Sequence, residues 1–172
     1  MFNWLIHKII ENKVNSAQKN SKKEFLDWDK VNSVCVLATK DEFYKANTIT
    51  EWINNSGKKT DTVLFIPGKE AVSDNNIITF NKKQTGWMGL PKPEIMAKIG
   101  NKPYDLLIDC NFKEYNSMKW LVGSVNAKFK VGFGGLLYHN YFDICIDLKE
   151  KPELDNYLKQ VINYLKMIRT VK

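Results

Sequence analysis

Two aspartates stand at the ends of apolar segments, where carboxylates can act as acids, bases or metal ligands. Asp109 closes the run LLIDC, and Asp147 closes the run ICIDL. Two carboxylates that meet at one edge of a sheet can hold Mg²⁺ or serve as a general acid and a general base. The competing interpretation is that each carboxylate accepts hydrogen bonds from nearby backbone amides. The sequence offers these two residues as its catalytic candidates.

The sequence contains few of the residues that other kinds of catalytic or metal site require. His7 and His139 are the two histidines, and no G-x-S-x-G nucleophile motif is present. Cys35, Cys110 and Cys145 each fall inside an apolar run and lack the C-x-x-C spacing of a metal site. We expect all three cysteines to be small buried hydrophobes, and we expect neither a metal nor another cofactor.

The segment KVGFGG, residues 130–135, is the richest in glycine. No Lys-Ser or Lys-Thr pair follows it, so it does not make a P-loop, and its spacing is not that of a dinucleotide fingerprint. A tight turn between two strands is the better interpretation of these glycines.

The most distinctive segment is NKKQTGWMGLPKP, which lies outside any periodic element. Its lysines, Lys82, Lys83 and Lys92, flank Trp87, and this combination suits phosphate contact together with base stacking. Loops of this kind are often recognition surfaces. Equally, Trp87 and Met88 can cover the side of the core while the lysines are solvated. Both interpretations stay open at this point.

The composition is basic. The chain has 172 residues and a formal net charge of +7, and Arg169 is the only arginine among 26 basic residues. Such a charge attracts nucleic acid, anionic lipid or an acidic partner, or it keeps a lysine-rich surface solvated. Base recognition favours the planar fork of arginine, so we expect no sequence-specific DNA binding.

The N-terminus predicts an amphipathic helix over residues 2–18, because its apolar residues recur at intervals of three and four. Three uses are open for it: packing on the core, lying on an anionic membrane surface, or docking on a partner or structured RNA. Its apolar stretch is too short to be a secretory signal or a membrane span. The polar run after it reads as a linker. The binding candidates in this region are Lys8, Lys13, Lys19, Lys22 and Lys23.

Beyond residue 30 the pattern predicts strands that alternate with helices. Apolar runs at 33–38, 62–66, 77–80, 104–110, 128–133 and 142–148 have strand length, and helical segments are expected at 41–56, 93–99, 116–125 and 152–170. Asn116 or Ser117 is expected to cap the third of these helices. The prediction is a single Rossmann-like, three-layer α/β domain with a mainly parallel sheet at residues 31–172, preceded by the helix and linker at residues 1–30.

The chain resembles an uncharacterised bacterial family, found mainly in Bacteroidetes-type bacteria and known only as a domain of unknown function. The likeness runs over nearly the full length and rests on DKVNSV at 29–34, WMGLPK at 87–92, YDLLID at 104–109, NAKFKVGF at 126–133 and FDICIDL at 142–148. The resemblance implies no activity and no catalytic residue.

The segment YDLLID followed by AKFKVGF is also similar to the N-terminal half of heptosyltransferase-type GT-B glycosyltransferases, over about residues 31–148. Those enzymes use a second Rossmann-like domain for the nucleotide-sugar donor, and this chain has no room for one. The resemblance therefore implies a lone half without the donor site.

The function that these features favour is a non-catalytic binding protein. It would dock on an anionic partner, RNA or the ribosome or a larger protein assembly, through its basic N-terminal helix. Two alternatives remain. One is a small nucleotide- or sugar-nucleotide-binding domain that uses the carboxyl edge of the sheet, and the other is a peripheral membrane-associated subunit. We expect a cytoplasmic protein, with the inner-membrane surface as the alternative location.

Overall fold

A six-stranded sheet forms the centre of the computed structural model, which describes residues 2–18, 26–45, 47–71, 77–100, 102–149 and 152–168. The strands lie in the order β3-β2-β1-β4-β5-β6, and all five neighbouring pairs are parallel. This order confirms the prediction of a Rossmann-like α/β fold. The strands are β1 (Ser33–Thr39), β2 (Lys59–Ile66), β3 (Ile77–Asn81), β4 (Tyr104–Asp109), β5 (Ala127–Phe133) and β6 (Ile144–Ile146).

Helices cover both faces of the sheet, which is why the central strands are apolar without alternation. On one face α1, α4 and α5 pack on the sheet, and on the other face α2, α3 and α6 do so. The three layers match the predicted architecture. The helices are α1 (Phe2–Gln18), α2 (Lys40–Lys45), α3 (Asn47–Asn55), α4 (Pro93–Ile99), α5 (Asn116–Ser124) and α6 (Leu154–Met167).

Helix α1 packs on the domain along its apolar face. Ile6, Ile10 and Val14 are buried in the same core cluster as the inner side of α5. Gly123 of α5 permits this approach, because a Cβ atom there would lie 2.1 Å from Cγ2 of Val14. Packing on the core therefore accounts for Ile6, Ile10 and Val14, whereas Leu5 on the same helix is 45% exposed. The predicted linker at 19–24 lies outside the described residues, and the division of the chain at residue 30 stays a prediction.

Several boundaries differ from the predicted ones. The helix expected at 41–56 is divided into α2 and α3, and the last helix spans Leu154–Met167 instead of 152–170. Strand β6 has three residues instead of seven, since a short 3-10 helix (His139–Tyr141) precedes it. The glycines after β5 form the predicted turn, at residues 134–135.

One cysteine prediction is wrong. Cys35 and Cys110 are buried, as expected, but Cys145 is exposed. Cys145 lies on β6, the edge strand, where Ile146 is directed into the core and the residue before it points to the opposite face. An apolar run at the edge of a sheet is therefore covered on one side only.

Candidate functional site

The loop after β3 begins with a capped 3-10 helix (Lys82–Gln84). The side-chain oxygen of Asn81 accepts a hydrogen bond from the amide of Lys83 at 2.9 Å. In return the amide of Asn81 donates to the side-chain oxygen of Gln84 at 3.1 Å. This reciprocal arrangement is a capping box, which holds the two lysines in a defined conformation directly after the strand.

The rest of the loop closes on itself. Thr85 and Pro91 form an isolated antiparallel bridge, and the amide of Gly86 donates to the carbonyl of Leu90 at 2.8 Å. Gly89 has φ +76°, a conformation that favours glycine. The closed loop holds the residues between the two ends of the bridge as a projecting tip.

At the tip of the loop, the Trp87 side chain is directed away from the core, unlike the apolar side chains that follow it. The Trp87 side chain is 76% exposed, whereas Met88 and Leu90 pack against the core cluster under α5. Of the two interpretations left open by the sequence, covering the core therefore holds for Met88 and not for Trp87. An exposed indole on a closed loop is a surface that a ligand can contact.

The loop is bound to the first turn of α5. The side-chain amide of Asn116 donates to the carbonyl of Met88 at 3.1 Å. A Cβ atom at Gly89 would lie 3.4 Å from Cβ of Asn116, so the two segments are in close contact. The loop thus has a fixed position relative to the helix N-terminus.

A pocket of about 530 Å³ lies between this loop and the beginning of α1. Lys82 and Trp87 line it from the loop, His7 from α1, and Ser117 from α5. Glu114 also lines it, and its carboxylate accepts a hydrogen bond from the amide of Leu137 at 2.6 Å. Segments that are far apart in the sequence, the N-terminal helix and the loop after β3, therefore share one concave site.

A buried lysine fixes His7 at this site. The Lys119 side chain is 7% exposed, and its Nζ atom lies 3.2 Å from Nδ1 of His7 and 3.6 Å from Oε1 of Glu11. A lysine ammonium has hydrogen-bond donors and no acceptor, so Nδ1 of His7 accepts and Nε2 carries the ring proton. The histidine can therefore act as a donor through Nε2.

The predicted binding lysines are exposed where the structure describes their side chains. Lys82 and Lys83 lie in the 3-10 helix, and Lys92 immediately precedes α4. Lys8 lies on α1, with its Nζ atom 4.9 Å from the ring centre of Trp4. The side chain of Lys13 and all of Lys19, Lys22 and Lys23 lie outside the described residues.

The first catalytic candidate, Asp109, is wholly buried at the carboxyl end of β4. Its carboxylate accepts hydrogen bonds from the Tyr138 hydroxyl at 3.0 Å and from the backbone and side-chain amides of Asn111. Burial raises its pKa to about 7, although these hydrogen bonds lower it. Its backbone carbonyl accepts from the Tyr157 hydroxyl at 2.8 Å. These contacts tie together three segments beneath the surface.

The second candidate, Asp147, is exposed just after β6. A Cβ atom at Gly134 would lie 2.2 Å from its Oδ1 atom, so Asp147 is held against the turn after β5. Strand β5 lies between the strands that carry the two aspartates. Over the described ranges, no group of three or more His, Cys, Asp and Glu side chains has the arrangement of a metal site.

A second pocket, of about 580 Å³, opens at the carboxyl edge near the junction of β1 and β4. Its lining includes Glu42, Glu153 and Asp155, together with Phe112 and Lys113. Three carboxylates around one lysine repel the phosphates of a nucleotide or a nucleotide sugar. This edge is thus electrostatically unlike the first pocket.

Sequence reasoning missed part of the first pocket. The sequence predicts no role for His7, and it predicts that Asn116 or Ser117 caps the helix. The N-cap is Tyr115 instead, which places both residues in the first turn of α5. The contact between His7 and Lys119 spans 112 positions of sequence, so no local pattern predicts it.

None of the described helices is both long and apolar enough to cross a membrane.

Comparisons with known proteins give one match. A family model described as "Family of unknown function (DUF6913)" matches residues 3–168. No curated protein matches the chain, and no solved structure does so.

Proposed function

The chain belongs to DUF6913, a family of unknown function, and we propose that it is a non-catalytic module that binds single-stranded RNA. The proposed site is the groove between the Lys-Trp loop (residues 82–92) and the beginning of α1. One observation carries the proposal: Lys82 and Trp87 of that loop and His7 of α1 line the same pocket of about 530 Å³.

The charge of the loop supports an anionic ligand. Lys82, Lys83 and Lys92 are exposed, and residues 82–93 contain no acidic residue. Glu114 is the acidic residue that lines the pocket, and its carboxylate accepts a hydrogen bond from the amide of Leu137. Lysines on such a surface contact the phosphates of a nucleic acid without reading its sequence, which fits a chain with a single arginine.

The exposed indole of Trp87 supports a nucleic acid with unpaired bases. Proteins that bind single strands combine a positive groove with aromatic side chains on which bases stack, and each such stack contributes roughly 1–3 kcal/mol. Trp87 is 76% exposed beside the three loop lysines, and its backbone is held by the closed loop. A base can therefore stack on it without rearrangement of the chain.

Helix α1 contributes through its polar side in this proposal. Lys8 follows His7 on α1 and is exposed, with its Nζ atom 4.9 Å from the ring centre of Trp4. The basic residues Lys13, Lys19, Lys22 and Lys23 follow in the sequence and extend the positive charge of the N-terminal segment. RNA, alone or within the ribosome, is the partner that we propose for it.

Binding of a fluorescently labelled oligouridylate of about ten nucleotides, followed by anisotropy, tests the proposal. The wild-type chain is expected to bind, and Trp87→Ala is expected to weaken binding about tenfold. Tyr164→Ala is the matched control, because Tyr164 is a half-exposed aromatic residue on α6, on the opposite side of the sheet.

Binding to anionic vesicles of phosphatidylglycerol and phosphatidylcholine is measured in parallel, to test the alternative of a membrane-surface protein. Binding to the vesicles but not to the oligonucleotide would contradict the proposal and favour a membrane-surface protein. Binding of the oligonucleotide with equal affinity by wild type and Trp87→Ala would also contradict it, since the groove would then not be the site.

A further inference from the structure

The charges on the wall of the first pocket balance each other. Among the described residues that line this pocket, Lys82 is the one lysine and Glu114 is the one carboxylate. The inside of the pocket therefore has no net attraction for a phosphate. Lys83 and Lys92 are exposed and are not part of the lining, so they can contact phosphates outside it. A single strand in the groove would thus direct an uncharged part, a base, into the pocket.

Aromatic rings give the pocket surfaces that suit a base. Phe65, near the end of β2, and Tyr115, immediately before α5, both line it, and their ring centroids lie 5.4 Å apart in an edge-to-face contact. Trp87 lines the pocket from the loop, with most of its side chain exposed. Unpaired bases of RNA bind proteins by stacking on aromatic side chains and by hydrogen bonds at their polar edges. The rings supply the first of these contacts.

Glu114 and His7 supply polar groups for the second. The Oε1 atom of Glu114 accepts a hydrogen bond from the amide of Leu137 at 2.6 Å, which ties the carboxylate to the segment after β5. A carboxylate can accept about four hydrogen bonds, so this contact leaves most of its capacity for a ligand. His7 carries its ring proton on Nε2, because its Nδ1 atom accepts from Lys119. The pocket therefore combines a positioned carboxylate acceptor with a ring N–H donor.

We infer that this pocket binds a guanine base of the RNA strand, an inference that rests on the proposed function. Guanine has two adjacent N–H donors on its Watson–Crick edge, at N1 and N2, and one carboxylate can accept both. Its O6 atom is an acceptor beside them, which suits the Nε2 donor of His7. Adenine, cytosine and uracil each have a single donor group on this edge. Glu114 is then the residue that sets the base preference.

The test compares oligouridylates of about ten nucleotides in which one central base is replaced. The wild-type chain is expected to bind the strand with a central guanine roughly tenfold more tightly than the strand with a central adenine, as a bidentate contact to a base edge allows. The adenine strand controls for the larger stacking surface of a purine. A strand with hypoxanthine, which differs from guanine by the missing N2 amino group, is expected to lose most of the preference.

Glu114→Gln tests the carboxylate itself. The glutamine keeps one oxygen for the amide of Leu137 but replaces the other acceptor with a donor, so the preference for guanine over adenine is expected to fall below about twofold. The affinity for plain oligouridylate is expected to be retained, which a merely unfolded variant would not show. Glu153→Gln removes an exposed carboxylate at the second pocket and is the matched control, with the full preference expected.

The outcomes separate the inference from the proposed function. Equal affinity of the wild-type chain for the guanine and adenine strands would overturn the guanine pocket and leave RNA binding standing. A guanine preference that survives in a folded Glu114→Gln protein would also overturn it, since another group would then select the base. If Glu114→Gln does not fold, the hypoxanthine strand decides on the wild-type chain, and equal binding of hypoxanthine and guanine overturns the inference. If no strand binds, the proposed function fails, and the inference fails with it.

Discussion

The Nζ atom of Lys119 lies 3.2 Å from Nδ1 of His7, and this contact joins α5 to α1 at the side of the first pocket. The same ammonium lies 3.6 Å from Glu11, one turn further along α1. Helix α1 is therefore held at its polar margin as well as through its apolar face. Because His7 lines the groove, the docking of α1 and the shape of the proposed site depend on each other.

The close approach of α1 to α5 predicts the effect of Gly123→Ala. In a helix this substitution normally stabilises by about 1 kcal/mol. Here the new methyl group would lie 2.1 Å from Cγ2 of Val14, so we expect a loss of about 1–3 kcal/mol in the free energy of unfolding. Urea denaturation measures it.

The double variant Gly123→Ala/Val14→Ala supplies the control for this packing argument. It removes both Cγ atoms of Val14, which lie 2.1 and 2.6 Å from the added group, and is expected to recover part of the stability. A Gly123→Ala protein that is more stable than wild type would contradict the packing of α1 on α5.

The buried carboxyl of Asp109 predicts a pH dependence of stability. Burial raises its pKa to about 7 in the folded chain, whereas an exposed aspartate has a pKa of about 4. Between these values the folded state retains a proton that the unfolded state releases, so this contribution to stability falls as the pH rises from 4 to 7. The fall amounts to about 4 kcal/mol at most. Asp109→Asn cannot titrate, so we expect a flatter profile of unfolding free energy against pH.

Asp147→Asn is the matched control, because Asp147 is an exposed aspartate at the same edge of the sheet. It is expected to leave the profile between pH 4 and 7 as in wild type. An Asp109→Asn profile as steep as that of wild type would show that Asp109 is not the group responsible.

Asp105 predicts a dependence of the opposite sign. Its burial works to raise the pKa, but hydrogen bonds from the amides of Asn32 and Ser33 and from Lys128 outweigh it and hold the pKa below its usual value. Its contribution to stability is therefore complete above the unfolded pKa and is lost as the pH falls through the lower folded pKa. Asp105→Asn is expected to cost about 1–3 kcal/mol at pH 7.

The difference between Asp105→Asn and wild type is expected to shrink as the pH falls below about 4, which unfolding curves at several pH values measure. A difference that stays constant over that range would mean that the loss comes from packing and not from the charge.

The layered fold could be predicted from the sequence, because the spacing of apolar residues indicates which faces of a strand or helix are buried. The run SVCVLA is buried along almost its whole length between two helical layers, as its lack of alternation predicts. The same logic fails for Cys145, since a short apolar run does not reveal that its strand lies at an edge of the sheet. Periodicity also shows that α1 has an apolar face but not which surface covers it.

The candidate site is less accessible to sequence reasoning. The loop with Trp87 is distinctive by composition, but its exposure depends on Met88 turning inward and Trp87 outward, which no period describes. His7 and Ser117 enter the site because two helices pack side by side. Their role follows from tertiary contacts, and their residue types alone do not predict it.

The salt dependence of oligouridylate binding tests the central proposal most directly. For single strands, each phosphate contact contributes about −0.7 to the slope of log affinity against log salt concentration. The double variant Lys82→Gln/Lys83→Gln is therefore expected to bind more weakly and with a slope reduced in magnitude by about 1.4. Lys159→Gln/Lys166→Gln, which removes the same charge from exposed positions of α6, is expected to keep the wild-type slope. Equal slopes for wild type and the Lys82/Lys83 variant, or no binding by the wild-type chain, would contradict the account.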